Sequence, residues 1–482
     1  MRVLVVASEA YPLVKTGGLA DVAGALPAAL CRLGVDARIL LPAYPGVLAK
    51  VADPGVAHGL GDILGVGPSR LIEARMPDSG VPVWLLDCPT LFDRPGGPYQ
   101  RPDGSEHPDN GLRFALLSRV AALLGSGEAL ANWSADIVHA SDWQTGLVPA
   151  YLKLAGRQVP RTVFTIHNLH FAGLFGPDFV ASAGLPPHAF SIDGVEFNGL
   201  VSTLKAGLFY ADRLTTVSPT YAWEVTTPEG GRGLDGLLSG RARAGEFSGI
   251  LNGVDYALWD PAKDPDIAAA YGPDTVAEGK ARCKAALQRE MGLDERPDAP
   301  VLGLVSRFSD QKGIDLVAGA AARLIEAGAQ LAVLGSGDWA LEQQFLQLSR
   351  RYAGSIAMQT AYDEALSHRI QAASDFFLVP SRFEPCGLTQ LYALRYGALP
   401  IVRRTGGLAD TVRDMSDEGT GTGFLFDSPS VEGLLSAFYR ALALYARPDA
   451  LHYARQRAMA QDFGWHRAAE AYVDLYEQTL RG

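Results

Sequence analysis

The stretch "KTGGLAD" at residues 15–21 decides the fold, because "TGGLAD" returns at 405–410 near the other end of the 482-residue chain. Each copy follows an apolar run, "VLVVASEAYPLV" before the first and "ALPIVRR" before the second, and each precedes an amphipathic one. A buried strand, a glycine turn and a helix are predicted at both places. Glycine at such a turn removes the Cβ and lets backbone N–H groups approach an anion, while the following helix adds the positive end of its dipole. Helix capping alone also favours glycine and an early acidic residue, so each turn has to be judged with its surroundings.

Outward from these words, short β-rich runs alternate with helical patterns. "RVLVVA", "DARILL", "PVWLLD", "DIVHA", "TVFTIH" and "RLTTVS" lie in the first half, and "PVLGLVSR", "AQLAVLG", "DFFLVP" and "LPIVRR" in the second. That alternation predicts parallel sheets covered by helices on both faces. The length exceeds what one hydrophobic core usually holds, so the class is α/β with two doubly wound, Rossmann-like domains. The expected boundaries are 1–247, 248–460 and a C-terminal helix at 461–482. The seam falls near "SGILNGVDYALWDP" (248–261), ahead of a charged helix at 275–290.

A composition of 48% hydrophobic and 20% charged residues is that of an ordinary folded soluble protein. No apolar run reaches the ~18 residues needed to cross a bilayer. The N-terminal "VLVVA" is broken at once by Ser8 and Glu9, too short and polar for a signal-peptide core, and a cytoplasmic protein is expected. A net charge of −11 argues against nucleic acid or anionic membrane as partner, so any anionic ligand must meet a focused site. The four cysteines show no C-x-x-C spacing, and neither zinc nor a disulfide framework is indicated.

Ligands of doubly wound sheets bind at the carboxyl ends of the strands, and basic residues cluster there. "SRFSDQKG" sets Arg307 just after a strand and Lys312 just before a helix starting at Gly313. A planar guanidinium and a movable ammonium suit a diphosphate, and Lys15 takes the equivalent place at the first turn. In "PSRFEPCGLTQLYALRYG" (380–397), Glu384 faces the same edge, able to accept hydrogen bonds from sugar hydroxyls, while the amides of Leu388 and Thr389 open a helix beginning near Gly387. "TIHNLHFAG" puts His167 and Asn168 at another strand end. The single D-x-D near a loop, Asp264 and Asp266, reads as a helix start, and no metal is expected.

Together "KTGGLADVAGALP", "DRPGGPY", "FTIHNL", "EFNG…LKAGL", "TVSPTYA", "LNGVD", "VSRFSDQKG", "PSRFEPCGLTQLYALRYG" and "RRTGGLADTV" resemble the bacterial glycogen synthases and plant starch synthases, in order and nearly end to end. The resemblance implies the GT-B architecture, two Rossmann-like domains facing across a cleft with the last helix crossing back onto the first. It implies transfer of glucose from ADP-glucose to the nonreducing 4-hydroxyl of an α-1,4-glucan such as glycogen, with retention of configuration and without cofactor. Nothing in the pattern fixes an oligomeric state.

On the same resemblance, Lys15 and the Gly18 amide belong to the sugar donor's phosphate site, and Arg307 and Lys312 stabilise the departing diphosphate. Glu384 holds the donor glucose, Tyr362 lies against the base, and Gly406 and Gly407 give backbone hydrogen bonds to glucose. Asp142, His167, Asn168 and Asn252 complete the sugar end, with Asp21 on the acceptor side and Tyr99 a further donor-site residue. Two departures stand out. Ser141 replaces a histidine common in the family, and Tyr392 occupies the place where related retaining enzymes outside it keep a second glutamate. With no evident nucleophilic carboxylate, a front-face substitution is expected, the leaving phosphate oxygen taking the acceptor proton and the His167 carbonyl supporting the oxocarbenium charge. The rival readings are a related transferase using UDP-glucose or a small acceptor, and a noncatalytic glucan- or nucleotide-binding protein.

Overall fold

The computed structural model describes residues 1–482 apart from Gln158, Tyr362 and Glu418. The chain forms two compact units, Met1–Gly253 with Trp465–Gly482, and Val254–Gly464.

In the first unit the apolar runs become strands whose two faces are both covered. β1 (Arg2–Val6) lies between β2 (Asp36–Pro42) and β6 (Ile137–Ser141), Val3 pairing Ala37 on one side and Ile137 on the other. Burial on both faces is why these segments read as continuous rather than alternating hydrophobic runs. With β3 (Ala57–Gly61), β4 (Ser69–Arg75), β5 (Pro82–Asp87), β7 (Arg161–Ile166), β11 (Arg213–Thr216) and β12 (Phe247–Gly249), they make a nine-stranded sheet of order β12-β11-β7-β6-β1-β2-β5-β4-β3. All neighbours are parallel except β5·β4 and β4·β3, an antiparallel edge. A small separate sheet joins β8 (Leu174–Phe175), β9 (Glu196–Phe197) and β10 (Leu200–Ser202).

The second unit carries β13 (Val301–Val305), β14 (Gln330–Leu334), β15 (Ile356–Gln359), β16 (Phe376–Val379), β17 (Leu399–Arg403) and β18 (Phe424–Phe426) in the order β15-β14-β13-β16-β17-β18, all parallel. Its apolar core is its own, with Leu302, Val333, Phe376 and Phe377 at the centre.

The helix Trp465–Arg481 belongs to the first unit. Its Trp465, Ala469, Tyr472 and Tyr476 share a core with Val3, Val5, Leu26 and Leu30 of β1 and the helix Gly18–Arg32. Buried His139 of β6 ties it down, its Nδ1 2.7 Å from the Tyr476 hydroxyl and its Nε2 2.6 Å from Thr165 Oγ1. Burial pushes the His139 imidazolium down to about 3, so the ring is neutral and bridges as one donor and one acceptor. A Cβ on Gly253 would fall 2.6 Å from Trp465 Cα, so the crossing of chain at the unit's edge needs a glycine.

Three expectations are corrected. The seam lies at Gly253/Val254, inside the expected stretch 248–261 but past the 247/248 boundary, because Phe247–Gly249 pairs with β11 as the last strand of the first sheet; the return lies at Gly464/Trp465 rather than 460/461. The segment around Asp264 and Asp266 is a turn, in which Asp264 Oδ1 accepts the Asp266 amide at 2.9 Å, and the charged helix that follows is Val276–Met291. The helix expected near Gly387 begins at Thr389, because Gly387 stands at φ +75, outside helical space. No helix among the described residues is long and apolar enough to cross a membrane.

Candidate functional site

In the first sheet the strand order reverses beside β1, since β2 leads one way and β6 the other. Doubly wound sheets bind ligands at that point, outside the strands' carboxyl ends, and charged side chains gather there. Lys15, in the loop between β1 and the helix Gly18–Arg32, pairs with Asp21 Oδ1 at 2.8 Å. Glu9, in the same loop, is only 3% exposed. Its Oε2 accepts Thr16 Oγ1 at 2.7 Å and the amides of Thr16 and Gly17 at 2.5 and 3.2 Å, and its Oε1 accepts the Tyr99 hydroxyl at 3.0 Å. Burial raises the Glu9 carboxyl above its ordinary value, against the lowering effect of those hydrogen bonds.

Across the reversal, Asp142 follows β6 with a left-handed φ of 57°, a conformation short acidic side chains tolerate better than most. Its buried Oδ1 accepts the His167 amide at 2.7 Å and the Asn168 amide at 3.3 Å, so it shapes the chain leaving β7. Burial pushes the Asp142 carboxyl up to about 7. The same cause pushes the His167 imidazolium, at the end of β7, down to about 4. A ring that burial keeps neutral cannot serve as a permanent cation for phosphate. Ser141 is buried at the end of β6, where its backbone exchanges hydrogen bonds with Thr145 Oγ1. Asn252, beyond β12, is buried and its amide oxygen has no partner among the described residues, the condition of a polar group that meets a ligand.

The second sheet reverses between β13 and β16. Lys312 Nζ lies 2.6 Å from Glu384 Oε2, and Ser381 Oγ donates to the same oxygen at 2.8 Å. Glu384 is buried, while Arg307 is exposed and forms no ion pair among the described residues. These groups flank a cavity of about 160 Å³ whose walls include Ser306, Arg307, Lys312, Pro380, Ser381 and Thr389. Thr389 opens the helix Thr389–Arg395, with Leu388 just before it. The loop carrying Glu384 is fixed from below by Arg403, whose Nε donates to the Ser381 carbonyl at 3.0 Å and whose Nη2 reaches the Arg382 carbonyl.

Sequence reasoning thus brings Lys15, Gly18, Asp21, Asp142, His167 and Asn168 to one sheet edge, and Arg307, Lys312, Glu384, Leu388 and Thr389 to the other. Tyr362 lies outside the described residues. The expectation that Gly407 donates to glucose is corrected: its N–H donates to the Glu384 carbonyl at 3.0 Å and the Pro385 carbonyl at 3.2 Å. Gly406 sits at φ +43, and a Cβ there would stand 1.9 Å from the Glu384 carbonyl oxygen. Both glycines therefore clamp the Glu384 loop. Tyr99 spends its hydroxyl on Glu9 and Ser8. Tyr392 stacks on Trp259 with ring centroids 3.8 Å apart. Glu9 and Arg403 were missed; the one legible signal was an acidic residue closing a buried strand at the ligand edge.

Asp264, Asp266 and His368 place a ligand atom each within 4.8 Å of one another. Asp264 Oδ2, however, accepts His368 Nδ1 at 2.7 Å and the Tyr396 hydroxyl, a hydrogen-bonded core rather than an open coordination site.

The starch synthase catalytic domain profile matches residues 2–240 and the group 1 glycosyl transferase profile residues 291–458. With two doubly wound units, these matches place the chain among the GT-B glycosyltransferases. A glycogen synthase of Rhodospirillum rubrum is 55% identical, with 100% of this chain and 99% of that protein covered. One of Paramagnetospirillum magneticum is 50% identical over 99% of this chain and 97% of its own. The catalytic domain of starch synthase IV from Arabidopsis thaliana, solved bound to ADP and acarbose, superposes with a TM-score of 0.89 at 34% identity, covering 100% of this chain and 99% of that one. A sucrose-phosphate synthase from Thermosynechococcus elongatus, at 18% identity and TM-score 0.62 over 100% of this chain and 99% of its own, shares the fold. The chain belongs to the glycogen synthase family.

Proposed function

We propose that this protein extends glycogen in the cytoplasm by transferring glucose from ADP-glucose to the nonreducing 4-hydroxyl of an α-1,4-glucan, with retention. The observation that carries the reading is the Lys312–Glu384–Ser381 cluster beside Arg307 at the reversal of the second sheet. Arg307 and Lys312 meet the diphosphate, Glu384 accepts from glucose hydroxyls, and Lys15 with the Gly18 amide adds phosphate contacts. Preorganised cations aimed at the leaving oxygen lower the barrier without proton bookkeeping, so no metal or other cofactor is required.

The carboxylates near the sheet edges are otherwise engaged: Glu384 by Lys312 and Ser381, Asp142 by two amides, Glu9 by the glycine turn. This supports a front-face substitution. The bond from the anomeric carbon to the phosphate oxygen breaks, the bond to the acceptor 4-oxygen forms on the same face, and the acceptor proton passes to the leaving phosphate. The His167 carbonyl supports the positive charge on the sugar.

Purified protein incubated with labelled ADP-glucose or UDP-glucose, glycogen and EDTA is expected to put label into polymer from ADP-glucose at an undiminished rate. Label from UDP-glucose alone would reassign the sugar donor, loss of label with EDTA would overturn the metal-free reading, and a trapped glucosyl-enzyme would overturn the front-face step.

A further inference from the structure

We infer that Glu9 is a positioning residue for the sugar donor's phosphate turn, holding Lys15 and the Gly18 amide in place through the two residues between them. The inference rests on the transfer reading above for what the turn binds, and on geometry for how it is held. Thr16 and Gly17 separate Lys15 from Gly18, and every group they offer to Glu9 converges on one oxygen: the Thr16 amide, the Thr16 hydroxyl and the Gly17 amide. Lys15 closes the turn from the other side through Asp21.

The second carboxylate oxygen extends the brace. The Tyr99 hydroxyl donates to Glu9 Oε1, and Ser8 Oγ lies 2.8 Å from that hydroxyl. Tyr99 is itself pinned, its carbonyl accepting Asn110 Nδ2 at 2.9 Å and the His107 amide at 3.1 Å. Asn110 Oδ1 in turn accepts the buried Arg113 guanidinium at 2.8 Å. A continuous hydrogen-bonded path thus runs from the helix Asn110–Gly125 through Tyr99 and Glu9 to the turn.

A brace needed for folding alone would be cheaper as a neutral acceptor, since burying a carboxylate without a cation costs stability. The burial that raises the Glu9 carboxyl is that cost. A carboxylate oxygen that accepts two amides and a hydroxyl at the start of a helix instead orients those donors strongly. A glutamine in its place keeps an acceptor for Thr16 and Gly17 but turns an NH₂ toward the Tyr99 hydroxyl and removes the charge.

Glu9→Gln is therefore expected to hold or raise the wild-type Tm at pH 7 while weakening ADP binding, read by calorimetry, and raising the KM for ADP-glucose about tenfold, the effect of one charge-assisted hydrogen bond. The KM for glycogen should stay within twofold. ADP and ADP-glucose affinities within twofold of wild type, whatever the Tm, would overturn the inference. Should Glu9→Gln lose Tm or fail to fold, Tyr99→Phe, which removes only the hydroxyl given to Oε1, is read in the same assays: a threefold or larger loss of ADP affinity with Tm kept supports the brace, and unchanged affinity overturns it. If the wild type binds ADP but makes no polymer, the transfer reading fails while the ADP measurement still decides Glu9.

Discussion

The two copies of the T-G-G word show how one sequence pattern is used in two physical ways. At Thr16–Gly18 the turn is held by a side chain, the Glu9 carboxylate, and a 15-residue helix starts at the second glycine. At Thr405–Gly407 the helix starts at the first glycine, runs six residues, and the turn grips a main-chain carbonyl, that of Glu384. Gly17 has an extended φ of −156, and a Cβ there would meet nothing nearer than Glu9 Oε1 at 4.0 Å. Gly406 has a positive φ and no room for a Cβ. The first turn is thus free to face a ligand, whereas the second is a structural clasp beneath the residue that does.

The carboxylates differ in parallel. In the second unit Glu384 is neutralised by Lys312 at 2.6 Å. In the first, Glu9 and Asp142 are buried among amides and a hydroxyl, and burial raises both.

If Glu384 and Lys15 are the ligand-facing groups of their respective turns, Glu384→Ala should lower kcat/KM for ADP-glucose by about 100–1000-fold and Lys15→Ala by about 100-fold, the range for removing one preorganised group. Steady-state polymer synthesis measures both, and a Lys15→Ala loss below about threefold would leave the second unit alone responsible.

The glycine contrast comes next. Gly406→Ala should cost about 3 kcal/mol or prevent folding, because its Cβ overlaps a backbone oxygen in a left-handed conformation. Gly17→Ala should cost under ~1 kcal/mol. Urea unfolding reads both, and equal costs would erase the distinction between the turns.

The third test uses pH. The folded Asp142 carboxyl stands at about 7 against an ordinary 3.8. The folded state therefore binds this proton more tightly than the unfolded chain, and stability is lost as pH rises between those values. Asp142→Asn keeps an acceptor for the His167 and Asn168 amides and suits the positive φ. Relative to wild type it should gain on the order of 4 kcal/mol at pH 8, shrinking toward zero near pH 4. A variant less stable than wild type at pH 8 would show that the charge holds the His167 loop. The smallest effect is expected at the returning helix: Tyr476→Phe removes one hydrogen bond to His139 and should cost about 1 kcal/mol, read as a small drop in Tm.

Much of the architecture was legible in the chain. Ten apolar runs correspond to β1, β2, β5, β6, β7, β11, β13, β14, β16 and β17, because strands buried on both faces must be apolar throughout. The antiparallel edge β3 and β4 was not, since "AHGLG" alternates exposed and half-buried residues and carries two glycines. β18 escaped notice because three residues leave too short a period to read, and β15 because at the sheet edge it exposes Gln359 and only half-buries Met358, so no continuous apolar run marks it.

The sequence by itself determined two doubly wound α/β units, the ligand edge of each sheet, and the basic and acidic residues placed there, because hydrophobic period and glycine position are local properties. Only the tertiary structure decided what those residues do to one another. That Glu9 grips Thr16 and Gly17 follows from how one loop folds back on itself, and that Gly407 spends its amide on Glu384 and that Tyr99 and Arg403 act as braces follows from contacts between separate segments of the chain. Hydrogen bonding depends on distances of a few tenths of an ångström, which no spacing of letters encodes.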